Sequence, residues 1–342
     1  MIEQLSNIIS QRGSRPSLDA VLEGMDRHLD NFETLVRPAP QSKSRTPFDA
    51  HLPAEEMSML NFTIGQRLKV LARAVPLFLN MQRGARMYDG KFEAREREAT
   101  PHLIAVLEAL ARELGAKEIR YVRVPRHAIF QDKGIPHEYA IVFTVEMDKE
   151  PISTAPSFDC QYEVIRGYKN MAVIANRLAR FLREHGFAGY PGTALGGVTD
   201  YTHLAELAGL GAIGYHGLLI TPGEGARLRI NTVYTNIANL PIETDNEHLW
   251  VRNFCAMCKK CIRSCPAEAI FDQPRPRGDG AGMQCIDHDR CREYFAANYG
   301  CGVCVAVCPF SQVGYDKVKA RFKGNESAPQ FRIPQSAVAF QS

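Results

Sequence analysis

What the sequence lacks narrows it quickly. No apolar run approaches the ~18 residues of a membrane helix, so no transmembrane span is expected. The opening stretch, MIEQLSNIISQRGSRPSLDA, holds no long apolar region and no twin-arginine pair, so the cytoplasm is the expected location. Formal net charge is only +3, too small a basic excess to argue for nucleic acid. No unit of about 20–50 residues repeats, apart from a duplicated cysteine motif. Cysteine itself is nearly absent from most of the chain: of ten, only Cys160 lies before residue 255.

The other nine cysteines crowd between Cys255 and Cys308. A disulfide scaffold is typically a short secreted chain, and this one has 342 residues and no visible leader. In that setting such crowding points to metal. The length also allows a large core and two domains, and 45% hydrophobic with 23% charged residues is ordinary for a globular protein.

Periodicity gives a coarse map. Residues 1–36 read as a polar amphipathic helix and 37–60 as an irregular arm rich in Pro, Ser and charge. IGQRLKVLARAVPLFLNMQRG (64–84) has helical spacing, with Pro76 as an expected kink. PHLIAVLEALARELGA is an amphipathic helix. EIRYVRV and YAIVFTVEM read as strands, the second apolar enough to be central in a sheet. GYKNMAVIANRLARFLREHGF (167–187) is a long helix closed by Gly, and LLITP and RLRINTVYT are short strands. From about 250 onward the texture is cysteine-rich with short helices, and a polar tail ends the chain.

FCAMCKKCIRSCPAEAI sets Cys255, Cys258, Cys261 and Cys265 at the C-x2-C-x2-C-x3-C-P spacing of bacterial two-cluster ferredoxins. Three cysteines two residues apart curl around one face of a cubane, and the fourth reaches the other cluster. GCGVCVAVCPF supplies Cys301, Cys304 and Cys308 as a second half. One 4Fe–4S cluster is therefore assigned to Cys255, Cys258, Cys261 and Cys308. The other takes Cys265, Cys301, Cys304 and either Cys285 or Cys291. Cys291 is preferred because RCREYF reads as the start of a helix running into the second motif, which leaves Cys285 spare. Zinc sites show two separated C-x2-C pairs rather than this run. Cys160 alone reads as a small buried apolar residue.

AELAGLGAIGYHGLLI (205–220) contains a literal G-x-G-x-x-G at Gly209, Gly211 and Gly214. A dinucleotide turn needs a strand before it, a helix opening at the third glycine and an acid about 20 residues on. Here a helical stretch precedes the glycines, a short strand follows, and NTVYTN lies where the acid should be. The order is reversed, so the glycines either permit tight packing or let backbone approach a different cofactor.

MDKEPISTAPS, the 167–187 helix, AELAGLGAIGYHGLLITPGEGARLRINTVYTN and the paired cluster motifs together resemble the corrinoid iron–sulfur reductases: reductive dehalogenases and epoxyqueuosine reductases. The resemblance runs from about residue 115 to about 315 and is closer to the dehalogenases. It implies an α+β (α/β sandwich) fold: a nitroreductase-like corrinoid-binding core with a C-terminal two-cluster ferredoxin-like domain. The implied division is a helical arm or cap over 1–100, the core over 101–248, the cluster domain over 249–315 and a tail over 316–342. It implies base-off cobalamin held largely by backbone, with Gly209, Gly211, Gly214, His216, Gly217 and Arg227 as candidate contacts. It implies Tyr168 as proton donor with Arg229 beside it, because a nearby cation stabilises phenolate. The implied reaction removes halide from a small organic, possibly halogenated, substrate. Electrons would come from a reduced ferredoxin, flavodoxin or reductase, and neither membrane nor nucleic acid is an expected partner.

Two other readings remain. In an epoxyqueuosine-reductase-like tRNA enzyme the acidic proton donor would match Leu195, which is not acidic; Asp200 is the nearest candidate. An iron–sulfur electron-transfer protein without corrinoid would use the clusters alone. His203 and His216 flank the glycine turn and read first as structural histidines. The basic stretch YDKVKARFK reads as a solvated face.

Overall fold

The structure is a computed structural model that describes residues 58, 61–130, 133–277 and 283–322. The helix and arm expected within 1–57, and the tail beyond 322, lie outside the described residues. Helix α1 spans Ile64–Ala85, α2 Pro101–Glu113, α3 Lys149–Ile152 and α4 Phe158–Glu184. Helices α5 (Tyr201–Leu207), α6 (Trp250–Cys258), α7 (Lys260–Arg263), α8 (His288–Ala297), α9 (Val303–Ala306), α10 (Pro309–Gln312) and α11 (Tyr315–Arg321) follow. The strands are β1 Ile119–Arg123, β2 Tyr139–Glu146, β3 Gly189–Pro191, β4 Ala212–Ile213, β5 Leu219–Ile220, β6 Leu228–Thr235, β7 Ile270–Pro276 and β8 Met283–Ile286. The chain thus adopts the mixed helix-and-sheet class expected of it.

An antiparallel four-stranded sheet, β1-β2-β6-β3, organises the molecule. Strand β2 is buried on both faces, which is why its sequence is a continuous apolar run rather than an alternation. Ile141, Phe143 and Val145 face one core with Ile174, Leu178 and Leu182 of α4. Ala140 and Val142 face the other, with Tyr190, Leu204 and Tyr234. Strand β6 is central too, paired to β2 and β3 at once, so the short strand read from RLRINTVYT carries much of the sheet.

Helix α4 begins nine residues earlier than its periodicity suggested. Ser157 caps it by accepting a hydrogen bond from the Cys160 N–H at 3.0 Å, with Asp159 in the first turn to complement the helix dipole. Helix α1 runs through Pro76 as one element and packs along α4. Their close approach depends on Gly84, where a Cβ would lie 2.8 Å from Asn176 Oδ1. Asn176 in turn donates to the Asn80 carbonyl at 2.8 Å.

The cysteine-rich segment is not a separate bead. One apolar cluster joins Met147 after β2, Ile152, Cys160 at the start of α4, Tyr215 and Ile220 of the glycine stretch, Val251 of α6 and Phe310 of α10. Arg227 ties the same junction together. Its guanidinium donates to the Met147 carbonyl at 2.6 Å, to Glu146 Oε1 at 3.2 Å and to the Ser311 carbonyl at 3.3 Å. The β7–β8 hairpin was not legible in the sequence. Pro274 and Pro276 interrupt its first strand, and the pair carries an irregular register between Ile270 and Arg275.

Candidate functional site

The first three cysteines sit on α6 and the short α7. The turn between these helices passes through Lys259 in the left-handed region, φ 49°. The thiols of Cys255, Cys258 and Cys261 face that of Cys308 and line one cavity with it. The thiols of Cys265, Cys291, Cys301 and Cys304 form a second group next to the first. Among the described residues, the four non-glycine positions with positive φ are Lys259, Glu268, Tyr299 and Cys301, all within these loops. Backbone strain of that kind concentrates where a site imposes its geometry.

Burial pushes the thiols up, and neighbouring thiols add to it. Cys261 reaches about 12 and Cys291 about 11, while Cys255 and Cys304 rise well beyond the ordinary range. Four buried sulfurs cannot all be anionic together unless a cation balances them, which is the demand an iron–sulfur core meets. Zinc at about 2.3 Å from each sulfur would draw its ligands onto a single point. No three His, Cys, Asp or Glu side chains among the described residues converge in that way. Eight thiols in two groups of four are a donor set that iron–sulfur centres take.

Cys285 stands apart from both groups. It lies on β8 beneath the glycine turn and is pushed to about 11 by burial. Its charged neighbours are Arg252 and Glu206 rather than other thiols. Cys160 is buried and donates to the Cys301 carbonyl at 3.8 Å, so it packs the first turn of α4 onto the loop of the second thiol group.

The glycine stretch is a turn and hairpin: α5, then Gly209 at φ 73°, then β4, the turn 214–217 and β5. The predicted order of helix, glycines and strand is observed; β4, within the glycine string itself, was missed. The contacts explain each glycine. A Cβ on Gly211 would sit 2.2 Å from the Ile220 carbonyl oxygen. One on Gly214 would meet Ile220 Cδ1 at 2.7 Å and Cys255 Sγ at 3.5 Å. The Glu206 carboxylate accepts from the Ile213 N–H at 2.7 Å and pairs with Arg252 of α6. Asn246 donates to the Glu206 and Gly211 carbonyls, both at 2.8 Å. His216 is 4% exposed and lines the first thiol cavity, and burial holds its ring down at about 4.

Tyr168 lies on α4 and Arg229 on β6, and the sheet brings them together. The Arg229 guanidinium carbon is 4.5 Å from the centre of the Tyr168 ring. Gly167 makes room, since a Cβ there would lie 3.0 Å from Arg229 Cγ. Among the described residues neither Arg229 Nε nor Thr193 Oγ1, just past β3, has a hydrogen-bond partner, and both are buried. Tyr168 is eight residues along α4 from Cys160, about 12 Å at 1.5 Å per residue. Arg227, a candidate corrinoid contact in the sequence, has its guanidinium hydrogen-bonded across the β2–α10 junction.

Asp200 has other work. It caps α5 by accepting from the His203 N–H at 3.1 Å and pairs with Arg277 at 3.4 Å. His203 is buried, with its Nε2 2.9 Å from His127 Nε2. Leu195, where the acid of an epoxyqueuosine reductase was expected, packs against the sheet–α4 core.

No family model matches the chain. Over 209 residues it is 35% identical to the tetrachloroethene reductive dehalogenase of Desulfitobacterium hafniense, covering 56% of this chain and 37% of that protein. The chain is reductive dehalogenase-like. The fold of this dehalogenase-like chain agrees with that of the catabolic reductive dehalogenase NpRdhA in complex with 3-bromo-4-hydroxybenzoic acid. The two superpose with a TM-score of 0.63 at 19% identity, covering 97% of this chain and 53% of that one. A shorter match, 32% identical over 126 residues, reaches the epoxyqueuosine reductase of Aliivibrio fischeri, covering 32% of this chain and 30% of that protein. The dehalogenase-like chain spans little more than a third of the length of the dehalogenase it matches in sequence.

Proposed function

We propose that this chain is a corrinoid-dependent reductase of reductive dehalogenase type, with two 4Fe–4S clusters and base-off cobalamin. Its parts would be a nitroreductase-like corrinoid-binding core and a two-cluster ferredoxin-like unit behind it. The observation that carries the reading is Arg229 stacked on Tyr168, on the same helix whose first turn is packed onto the second thiol group. Cys255, Cys258, Cys261 and Cys308 would hold one cluster; Cys265, Cys291, Cys301 and Cys304 would hold the other. The unpartnered polar atoms of Arg229 and Thr193 suit a ligand rich in amide groups. When bound, the clusters supply single electrons and the corrinoid supplies the metal centre at which the substrate is reduced.

The chain's own side chains would position the substrate and manage the proton. Tyr168 donates its hydroxyl proton to the carbon that loses halide. Arg229, over the ring, stabilises the phenolate left behind and so makes Tyr168 a better donor. The balance is one carbon–halogen bond broken, one carbon–hydrogen bond formed, one halide released and two electrons taken up. The electrons would come from an external low-potential donor: a reduced ferredoxin, flavodoxin or reductase. The tRNA-modifying alternative has less support, since Leu195 is apolar and Asp200 is committed to a cap and an ion pair.

The test is anaerobic reconstitution with iron, sulfide and cobalamin, followed by assay on halogenated phenols and on epoxyqueuosine tRNA. The expected result is about eight irons and one corrinoid per chain, with halide released from the phenols. Full iron without corrinoid uptake would leave an electron-transfer protein and overturn the proposal.

A further inference from the structure

The glycine turn was of interest as a possible backbone contact to a cofactor, and the side chain inside it carries more. The turn 214–217 is closed by its own backbone. The Gly217 N–H donates to the Gly214 carbonyl at 2.9 Å, and the Gly214 N–H donates to the Leu218 carbonyl at 3.0 Å. It lies directly against the first thiol group: a Cβ on Gly214 would stand 3.5 Å from Cys255 Sγ, an ordinary contact distance. The Tyr215 N–H donates to the same sulfur. His216 follows, and its ring is fixed by a second bond within the turn.

That bond also settles the tautomer. The Leu218 N–H donates to His216 Nδ1 at 3.2 Å, so Nδ1 is the acceptor and the neutral ring carries its hydrogen on Nε2. Nε2 is buried and has no hydrogen-bond partner among the described residues. A buried donor left unpaired is costly, and native proteins rarely keep one without a reason. The ring forms part of the wall of the cavity lined by Cys255, Cys258, Cys261 and Cys308. A nitrogen with its hydrogen in place is not a metal ligand, but it can bond to sulfur.

We infer that His216 donates an Nε2–H hydrogen bond to a sulfur of the cluster held by these four cysteines and thereby raises that cluster's reduction potential. This rests on the cluster reading above and assigns His216 to the first cluster instead of to the corrinoid. The physics is simple. One electron from an external reductant adds one negative charge to the cluster, and that charge spreads over the sulfurs. A donor aimed at sulfur stabilises the reduced state more than the oxidised one, and hydrogen bonds to sulfur are among the factors that set cluster potentials. No covalent bond forms or breaks, and the hydrogen stays on Nε2. In the second group, Cys301 is met by the backbone N–H groups of Gly302 and Val303, and Cys265 by the Ala269 N–H at 3.4 Å, with no histidine among the described residues. The two clusters should therefore differ in potential, the first being the easier to reduce.

The experiment is a redox titration followed by electron paramagnetic resonance on the holoprotein, comparing wild type with His216→Leu and His216→Gln. Iron and sulfide are counted first in each. In His216→Leu one couple should fall to lower potential, with its reduced-to-oxidised ratio about tenfold smaller at a fixed ambient potential; that is about 59 mV for one electron. The other couple should not move, and His216→Gln, whose amide can donate from a similar place, should recover most of the shift. Unchanged potentials in both fully loaded variants would overturn the inference, as would an equal shift of both couples. Loss of the first cluster in both variants would also overturn it, because His216 would then hold the cluster and not tune it. A wild-type chain that binds only one cluster, or none, would point to failure of the underlying cluster reading.

Discussion

The Arg229 guanidinium lies 4.5 Å above the Tyr168 ring, across 61 positions of sequence, because β6 and α4 pack face to face. A permanent cation over a phenol has a direct chemical consequence. In the proposed reaction the pair would share the delivery of the proton, Tyr168 giving it and Arg229 holding the ring in place.

Tyr168→Phe keeps the ring and removes the proton. Turnover on a halogenated phenol should fall by about 10²- to 10⁴-fold, the usual contribution of a positioned acid, with iron and corrinoid content unchanged. Arg229→Gln should cost less, because the proton remains while its support is lost. The double variant should be no slower than Tyr168→Phe alone, since the arginine acts through the tyrosine. Additive losses would mean that Arg229 works independently, for instance by binding substrate. Steady-state kinetics on the four proteins decides this.

The second cluster's last ligand can be assigned by removing each candidate thiol. Cys291 is grouped with Cys265, Cys301 and Cys304, whereas Cys285 sits beneath Gly217 beside Arg252 and Glu206. Cys291→Ala should drop iron from about eight to about four per chain. Cys285→Ala should keep about eight. Equal losses in both, by iron and sulfide assay, would remove the distinction.

Much of this site was legible in the sequence, and the reason is locality. The cysteine runs encode their geometry within two or three residues, so two neighbouring groups of thiols, with a preference for Cys291 over Cys285, could be expected from spacing and a helix start. The β2 strand was legible because burial on both faces leaves an apolar signature, and β6 because its run is rich in β-branched residues. What was not legible depends on distant contacts. Strand β3 has three residues and exists because β6 pairs with it. The β7–β8 hairpin is disguised by its prolines. The start of α4 needed Ser157 to be recognised as a cap. His216 was read as a corrinoid contact, and only the β4–β5 hairpin turns its ring toward thiols thirty-nine and more residues downstream.

One histidine away from the thiols should be visible in the pH dependence of stability. His137 stacks on Tyr190, with ring centres 5.6 Å apart, and burial, helped by Lys91, holds it down at about 4 against an ordinary value of 6.5. Between those values the unfolded chain binds a proton that the folded chain does not. Stability from this residue is therefore complete above about 6.5 and declines as pH falls toward about 4. His137→Gln removes that dependence. Between pH 7.5 and 5.5, values chosen as roughly one unit either side of the unfolded pKa, the wild-type Tm should fall more than the variant's. Parallel melting curves would show that His137 is free to titrate in the fold.

The glycines themselves make a graded prediction. At Gly211 the obstacle to a methyl group is the Ile220 carbonyl oxygen, 2.2 Å away, which belongs to β5 and cannot move without breaking the hairpin. At Gly214 it is the end of the Ile220 side chain at 2.7 Å, which can rotate aside, with Cys255 Sγ at an ordinary 3.5 Å. Gly211→Ala should therefore cost at least about 1–3 kcal/mol, the usual range for overpacking, and Gly214→Ala less. The measurement is thermal or denaturant unfolding of the two variants in the same cluster state. A nucleotide-binding turn would predict a different pattern, with ligand affinity lost and stability hardly touched. Because the glycine side faces are filled by β5, Cys255 and Asp245, the order of the two stability losses tests whether this turn is a packing device that seats His216.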